Sequence, residues 1–403
     1  MNRKDITVNK IKITLLILLL GGLAFLGFAQ RENEINAQHF NVLFETYGLL
    51  KTQYVEKDID DQKLAYGAIK GMLDALGDPY TRFMEPTANS EMKVRLDGEF
   101  FGIGIHIGMK EHQLTVISPI EDTPAWKAGL KAQDKIMRID GKSTKGISLE
   151  EAVSRIRGPK GSSVVLGILR PTVEPPKEMD VAILRDVIKM KSITNVEVIT
   201  SNIGYLRFTT FESRQMIDEL VDALALLEAK HIKGLIIDER DDGGGLLQNA
   251  ILASSIFLET GKEIVHTVDR NGILETKSAV PILPKFKKPV IVLVNGNSAS
   301  ASEIFAGAMS DNGRGIVMGT KTFGKASVQN IRELSDRSAV LITIAKYLTP
   351  NKTDITKVGI KPDVEVTVPT ANLKKIQEPN YLYNKDDDYT LQQAIKTMKE
   401  IIN

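Results

Sequence analysis

The sequence predicts an α/β protein of more than one domain, and three observations carry that reading. From Val187 onward, short apolar β-branched runs alternate with stretches of helical period, as in a wound sheet flanked by helices. Ahead of them, residues 96–170 break into several short strands and two short helices, a β-rich unit of its own. The chain's 403 residues suffice for two or three domains with a large core.

The hydrophobic share, 42%, and the charged share, 26%, are ordinary for a globular protein. A net charge of +1 offers no basic footprint, so nucleic acid is not expected as a partner. Cysteine is absent, which excludes disulfides, a cysteine nucleophile and thiolate metal sites. At the N-terminus, Arg3, Lys4, Lys10 and Lys12 precede an uncharged Leu-rich run, residues 13–29, and a polar stretch follows. That is the pattern of a secretory signal, and the run is just long enough to span a bilayer if it is not cleaved. Residues 1–29 are therefore expected to export or anchor the chain. The body would lie outside the cytoplasm, in the periplasm or on the outer face of the inner membrane.

Phe40, Leu43, Tyr47 and Leu50 recur at helical spacing, and residues 64–73 repeat the pattern until Gly77-Asp78-Pro79-Tyr80 stops it. Residues 30–95 are read as an N-terminal helical segment, a packing or dimer-forming cap without chemistry. In the β-rich unit, assigned to 96–172, strands are expected around residues 102–107, 114–117, 134–141 and 163–169, with helices opening at Thr123-Pro124 and over Leu149–Ile156. The main α/β region, 185–368, carries strands at Ile203–Phe208, Gly234–Asp238 and Val290–Val294. A helix over 213–230 places Met216, Leu220, Leu224 and Leu227 on one face. Residues 369–403 form a polar tail ending in a short amphipathic helix.

The chemistry concentrates in Gly296-Asn297-Ser298-Ala299-Ser300-Ala301-Ser302-Glu303 and in Thr322-Phe323-Gly324-Lys325-Ala326-Ser327-Val328-Gln329. The first stretch is a small-residue turn between a buried strand and an Ala-rich helix. Its serines suit helix caps; one at the turn also suits a nucleophile, with the helix's first N–H groups able to hold an anion. Such a serine needs a base. None of the histidines, at 39, 106, 112, 231 and 266, is near either stretch. A lysine serves if burial lowers its pKa, and Lys325 lies beside Phe323 and Val328. Gln329 follows it at four residues, a spacing that keeps one face in a helix or a strand. Glu303 and Asp311 return to the face of Ser300 if the helix holds. Earlier, residues 240–247 form a glycine turn between a strand and a helix, without a P-loop or dinucleotide fingerprint.

These motifs resemble the carboxyl-terminal processing (tail-specific) proteases, Ser-Lys endopeptidases with an embedded PDZ domain. The SASASE turn matches residues 298–303 and the F-G-K-G-S-V-Q loop matches 323–329, with Ala326 in place of the second glycine. The resemblance runs from about Phe40 to Val366. It implies an α/β catalytic core of the crotonase-like ββα kind with an inserted PDZ-like β-rich domain. It implies Ser300 as nucleophile, Lys325 as general base and Gln329 as the residue orienting it. Gly244 and Ala301 would supply the oxyanion N–H groups. The family's D-L-R-x-N-P-G-G-L turn is altered here, with Glu239 for leucine, Asp242 for asparagine and Gly243 for proline. Phe101, Gly102, Ile103, Gly104 and Ile105 would form the peptide-binding loop and strand, adding a substrate tail as a further strand. Arg157 has two readings, a cation at a helix C-terminus or a link between peptide occupancy and catalysis.

Glu303 reads as structural or tuning, and Asp311 as tuning. No cofactor and no metal are expected. The implied substrates are extracytoplasmic proteins with exposed, apolar C-termini. A homo-oligomer, an adaptor or activator protein, and a membrane reached through the N-terminus remain open partners. The rival reading is a catalytically inactive PDZ adaptor; an acyl-CoA enzyme of crotonase type fits the leader and the β-rich unit poorly.

Overall fold

A computed structural model describes residues 38–403 apart from 111, 112, 121, 190, 201, 283, 371 and 373–383. The expected leader at 1–29 lies outside these residues. Among the described residues, no helix is long and apolar enough to cross a membrane. The chain divides into two units, 1–68 and 69–403. The first contains helix α1 (Gln38–Gln53) and the start of α2 (Asp61–Asp74), with Lys51 Nζ 2.8 Å from Asp61 Oδ1.

In the second unit, the main sheet has the order β10 (Ile193–Thr200), β11 (Ile203–Phe208), β12 (Gly234–Asp238), β15 (Val290–Val294), β16 (Ile316–Gly319), β19 (Val364–Glu365). Strand β10 is antiparallel to β11; the other pairs are parallel. The parallel strands are buried on both faces, so β12 and β15 read as unbroken apolar runs rather than alternations. On one face lie α6 (Met216–Ala229), α7 (Leu247–Phe257) and α8 (Ala301–Asp311), packed around Phe208, Phe211, Phe257 and Phe305, whose ring pairs meet edge-on or tilted. On the other face lies the C-terminal helix α9 (Tyr389–Ile402). Its Leu391, Ala394 and Met398 join Tyr205, Ile236, Ile291 and Leu293 in one core. Gly234 lets this helix approach closely: a β-carbon there would stand 2.3 Å from Met398 Sδ and require that side chain to move. The predicted tail helix is thus a layer of the main α/β unit, not an appendage.

A second sheet has the order β1 (Arg82–Met84), β18 (Ala339–Leu348), β13 (Glu263–Asp269), β14 (Leu274–Ser278), with β17 (Ser327–Glu333) also on β18. Residues 82–84, assigned from sequence to the N-terminal segment, therefore belong to this sheet, pairing Arg82 with Leu341. Helix α3 (Pro86–Leu96) follows them, and Asn89 Nδ2 donates to Arg337 O at 2.9 Å.

The inserted unit contains β3 (Ile105–Lys110), β4 (Gln113–Pro119), β5 (Lys135–Ile139), β7 (Ser163–Arg170) and β8 (Lys177–Leu184) in that order, with β6 (Lys142–Ser143) on β5. Helices α4 (Pro124–Lys127) and α5 (Leu149–Ile156) pack its core of Leu114, Val116, Ile136, Leu166 and Ile168. Ser148 caps α5, accepting from Glu151 N–H at 3.1 Å. Strand β8 pairs with β7 along its whole length, so the boundary expected at 172 falls inside a hairpin and the unit continues to Leu184. The sequence concealed this because β8 alternates exposed charge with half-buried residues and begins in a Pro-rich turn. Two short strands, β2 (Glu99–Gly102) and β9 (Asp186–Lys189), pair where the chain enters and leaves the unit.

Candidate active site

Strands β12 and β15 are neighbours, with Asp238 opposite Leu293, so the turns that follow them meet at the carboxyl edge of the sheet. They are laced together. Ala299 N–H donates to Asp242 O at 3.0 Å. Ser298 Oγ donates to Glu239 O at 2.8 Å and Ser302 Oγ to Asp242 O at 3.1 Å. The three serines are thereby distinguished: Ser298 and Ser302 are fully buried and committed to the glycine turn, whereas Ser300 is only half-buried. Ser300 also has φ 58° and ψ −113°, a left-handed conformation costly for a residue with a β-carbon. Strain of this kind, about 1–3 kcal/mol, persists where the surrounding bonds over-determine it and is common at nucleophile turns.

Gly244 lies directly against that turn. A β-carbon on it would stand 2.4 Å from Ala299 O, 2.7 Å from Ala301 N and 3.0 Å from Ser300 Cβ, and its φ is +88°. Only glycine fits, and the fit brings the backbones of Gly244 and Ala301 together around Ser300. The Gly244 N–H itself donates to Asp242 Oδ1 at 2.8 Å.

Glu303 is the hub between the serine turn and the lysine loop. It is 1% exposed. Its carboxylate accepts from Ser300 N–H at 2.8 Å, Lys325 N–H at 2.9 Å, Gly324 N–H at 2.7 Å and Thr322 Oγ1 at 2.6 Å. Replacing it by alanine leaves these donors without their acceptor, at about 1–3 kcal/mol for each that stays dry. Glu303→Ala is expected to lower stability by more than about 3 kcal/mol in urea denaturation, and Glu303→Gln, which keeps an acceptor oxygen, by less. Equal midpoints for Glu303→Ala and the native chain would contradict this role.

Lys325 is half-buried, and among the described residues it has no ion-pair partner. Its ammonium lies 4.8 Å from the centre of the Tyr80 ring. Burial pushes its pKa below the ordinary lysine value, and Arg82 pushes in the same direction, against Glu212, Asp78 and Glu303. The apolar cover expected from Phe323 is not there, since Phe323 is 53% exposed; the aromatic neighbour is Tyr80. Val328 does pack against the main core.

Gln329 is on β17, while Lys325 precedes that strand, and a bulge separates Val328 from Gln329. The four-residue spacing therefore does not set their relative facing. Gln329 Nε2 donates to Ser327 Oγ at 2.8 Å and approaches Thr343 Oγ1 at 3.4 Å, and among the described residues no hydrogen bond joins it to Lys325. Asp311 ends α8, some 16 Å along the axis from Ser300 at 1.5 Å per residue. Its carboxylate accepts from Asn351 N–H at 2.9 Å. Return to one helix face did not mean proximity.

Several positioning residues had no local signal. Tyr347 Oη lies 2.5 Å from Lys325 O and 3.1 Å from Ser300 O, bridging both motifs. Gly359 and Ile360 brace the lysine loop: Ile360 N–H donates to Thr322 Oγ1 at 2.6 Å, and a β-carbon on Gly359 would meet Thr322 O at 2.2 Å. Tyr80 enters the sequence reading only as part of a helix stop. Among the described residues, no group of acidic and histidine side chains is arranged to hold a metal ion.

In the inserted unit, β3 is an edge strand, and with α5, β8 and β9 it lines a groove of about 1450 Å³. Ile103, Gly104, Ile105, Val153, Ile156 and Arg157 are among its lining. Gly104 has φ +77°, and a β-carbon there would stand 2.3 Å from Thr123 Cβ. Phe101 and Gly102 pair with Val187 and Asp186 across β2 and β9, and Gly102 also lines the groove. Arg157 caps the C-terminus of α5, its N–H on Val153 O at 2.9 Å.

Known proteins share this organisation. Peptidase family S41 matches residues 202–366, a PDZ domain 115–170, and the activating protease CtpB N-terminal domain 26–88. The carboxy-terminal processing protease CtpA of Bacillus subtilis (strain 168) is 36% identical over 96% of this chain and 81% of its own length. The carboxy-terminal-processing protease of Bartonella bacilliformis is 42% identical over 82% of this chain and 75% of its own. A solved structure described as an S41 protease, from Bacteroides fragilis NCTC 9343, superposes with a TM-score of 0.58 at 16% identity. It covers 88% of this chain and 97% of that one, a likeness of fold. The chain belongs to the carboxy-terminal processing proteases of peptidase family S41, with an embedded PDZ domain.

Proposed function

We propose that this protein is an exported serine endopeptidase that grips the C-terminal tails of extracytoplasmic proteins and cleaves near them by a Ser-Lys mechanism. The observation that carries the reading is Glu303: one buried carboxylate ties the strained Ser300 turn to the loop of a lysine whose pKa burial lowers. Lys325, as the neutral amine, takes the proton of Ser300 Oγ as the oxygen attacks the peptide carbonyl. The Ala301 and Gly244 N–H groups receive the oxyanion, each such donor being worth about 3 kcal/mol. The amine leaves with a proton returned from Lys325, and water clears the acyl-enzyme. Export rests on the basic and apolar pattern of residues 3–29. The match to an N-terminal domain named for an activating protease makes an activator or adaptor partner a reasonable expectation.

The edge of β3 and the groove beside it suit an added peptide strand whose terminal carboxylate sits near Ile103 and Gly104. Amidating the C-terminus of a model tail is expected to weaken binding by about 1.5–3 kcal/mol, the worth of a charge-assisted hydrogen bond. Titration calorimetry with free-acid and amidated peptides checks it; equal affinities would contradict this mode. The inactive-adaptor reading draws on one observation, the Gly244 N–H already held by Asp242. Incubating the full chain with an unstructured protein bearing an apolar tail decides between them, since an adaptor binds the tail and leaves it whole.

A further inference from the structure

The glycine turn holds two buried carboxylates that the mechanism above does not use. Glu239 is 0% and Asp242 1% exposed. Both oxygens of Glu239 and Oδ2 of Asp242 are without a hydrogen-bond partner, and neither residue forms an ion pair among the described residues. The remaining oxygen, Asp242 Oδ1, takes the Gly244 N–H at 2.8 Å, the donor assigned to the oxyanion. The turn cannot swing away, because its carbonyls at 239 and 242 hold Ser298, Ser302 and the Ala299 N–H.

Two anions without partners in a dry site are costly, and the lesser cost is to take up protons. The charged groups acting on the pair favour this on balance. On Asp242, Glu212, in the segment after β11, opposes ionisation and Arg207, on β11, favours it. On Glu239, Asp242 and Asp238 both oppose ionisation. The cation nearest in sequence, Arg240, is spent on Asp238 and Asp388, with bonds of 2.7 Å to each. Burial accordingly lifts Asp242 to about 7 against the pull of the Gly244 N–H and the nearby Ser302 hydroxyl, and burial also carries Glu239 well above the carboxylate range.

We propose that Asp242, backed by Glu239, is a proton-controlled positioning residue of the oxyanion hole: the Gly244 N–H serves a developing oxyanion only while the pair is protonated. The inference rests on the Ser-Lys reading and adds a limb to its pH dependence. A neutral carboxyl oxygen is a weak competitor for the Gly244 N–H and yields it to an oxyanion. A carboxylate holds the N–H and sets a second negative charge beside the oxyanion. The sign is therefore opposite to that of Lys325. Activity rises as Lys325 loses its proton and falls again as the pair loses its own, the alkaline limb belonging to the pair rather than to either residue.

The test uses the full chain and two readouts. In the first, a pH–rate profile on a minimal peptide, the native chain is expected to fall on the alkaline side by about tenfold per pH unit beyond the midpoint. The total fall is about 10²–10³, the worth of one donor. Asp242→Asn, which keeps an acceptor without the charge, is expected to lose the alkaline fall and keep the acid limb. In the second, affinity for a peptide aldehyde is compared with that for the alcohol of the same sequence. The aldehyde's advantage is expected to shrink at high pH in the native chain and to persist in Asp242→Asn. Should Asp242→Asn fail to fold, Glu239→Gln, which removes the neighbouring carboxyl that opposes ionisation of Asp242, is expected to move the alkaline midpoint downward in the same assays. An alkaline limb unchanged in the folded variant overturns the proposal. If the aldehyde has no advantage at any pH, the serine mechanism itself fails, a distinct result.

Discussion

Ser300→Ala is expected to abolish peptide cleavage, a fall of about 10⁴–10⁶ in kcat as for nucleophiles removed from serine proteases, while Ser298→Ala and Ser302→Ala keep much of the activity. The three hydroxyls are chemically alike, so the difference lies in their placement. Ser298 and Ser302 are spent on Glu239 O and Asp242 O inside the protein. Removing either costs about 1 kcal/mol of hydrogen bonding and loosens the glycine turn, which is felt as stability and a modest loss of rate. Ser300 alone of the three reaches the open side of the turn, beside Gly244 and Ala301. The check is kcat for each variant on one unstructured substrate, with melting curves to separate chemistry from folding. Full activity in Ser300→Ala would remove the protease mechanism proposed here.

The second large effect concerns the base. Lys325→Arg is expected to be inactive, because a guanidinium keeps its proton at every working pH. In the native chain activity is expected to rise with pH through the lysine titration, with none of the five histidines controlling that limb. The sign follows from the structure. Burial and Arg82 favour the neutral amine, the active form needs the neutral amine, and so the acid limb has its midpoint below the free-lysine value of about 10.4. Glu212, Asp78 and Glu303 hold the proton on and keep the midpoint from falling further. A pH–rate profile for the native chain and for each histidine changed in turn reads this directly. A histidine variant that is dead while Lys325→Arg remains active would assign the base elsewhere.

What the sequence disclosed and what it hid divide along a physical line. Strands β11, β12 and β15 and helix α5 were legible to the residue, because each is bounded by turn residues and patterned by burial along its own length. The serine turn and the lysine loop were legible through their short, unusual composition. Contacts between distant segments were not. Tyr347, Gly359 and Tyr80 reach the lysine loop from β18, from the segment after it and from the chain ahead of β1, and no local period encodes such a meeting. Asp311 misled for the same reason, since a shared helix face constrains angle and not distance. The β8 hairpin and the docking of α9 depend on sheet partners chosen by the whole fold. The departures at Glu239 and Asp242 were visible as letters, but their burial and their hold on the Gly244 N–H were not.

The central claim is that Ser300 is a nucleophile activated by Lys325. The most direct measurement is reaction of the full chain with a serine-reactive organophosphonate fluoride, followed by peptide mapping by mass spectrometry. The expected result is a single adduct on Ser300, formed faster as pH rises through the acid limb and absent from Lys325→Arg. An adduct on Ser298 or Ser302, or one on Ser300 that forms equally fast in Lys325→Arg, would contradict the account.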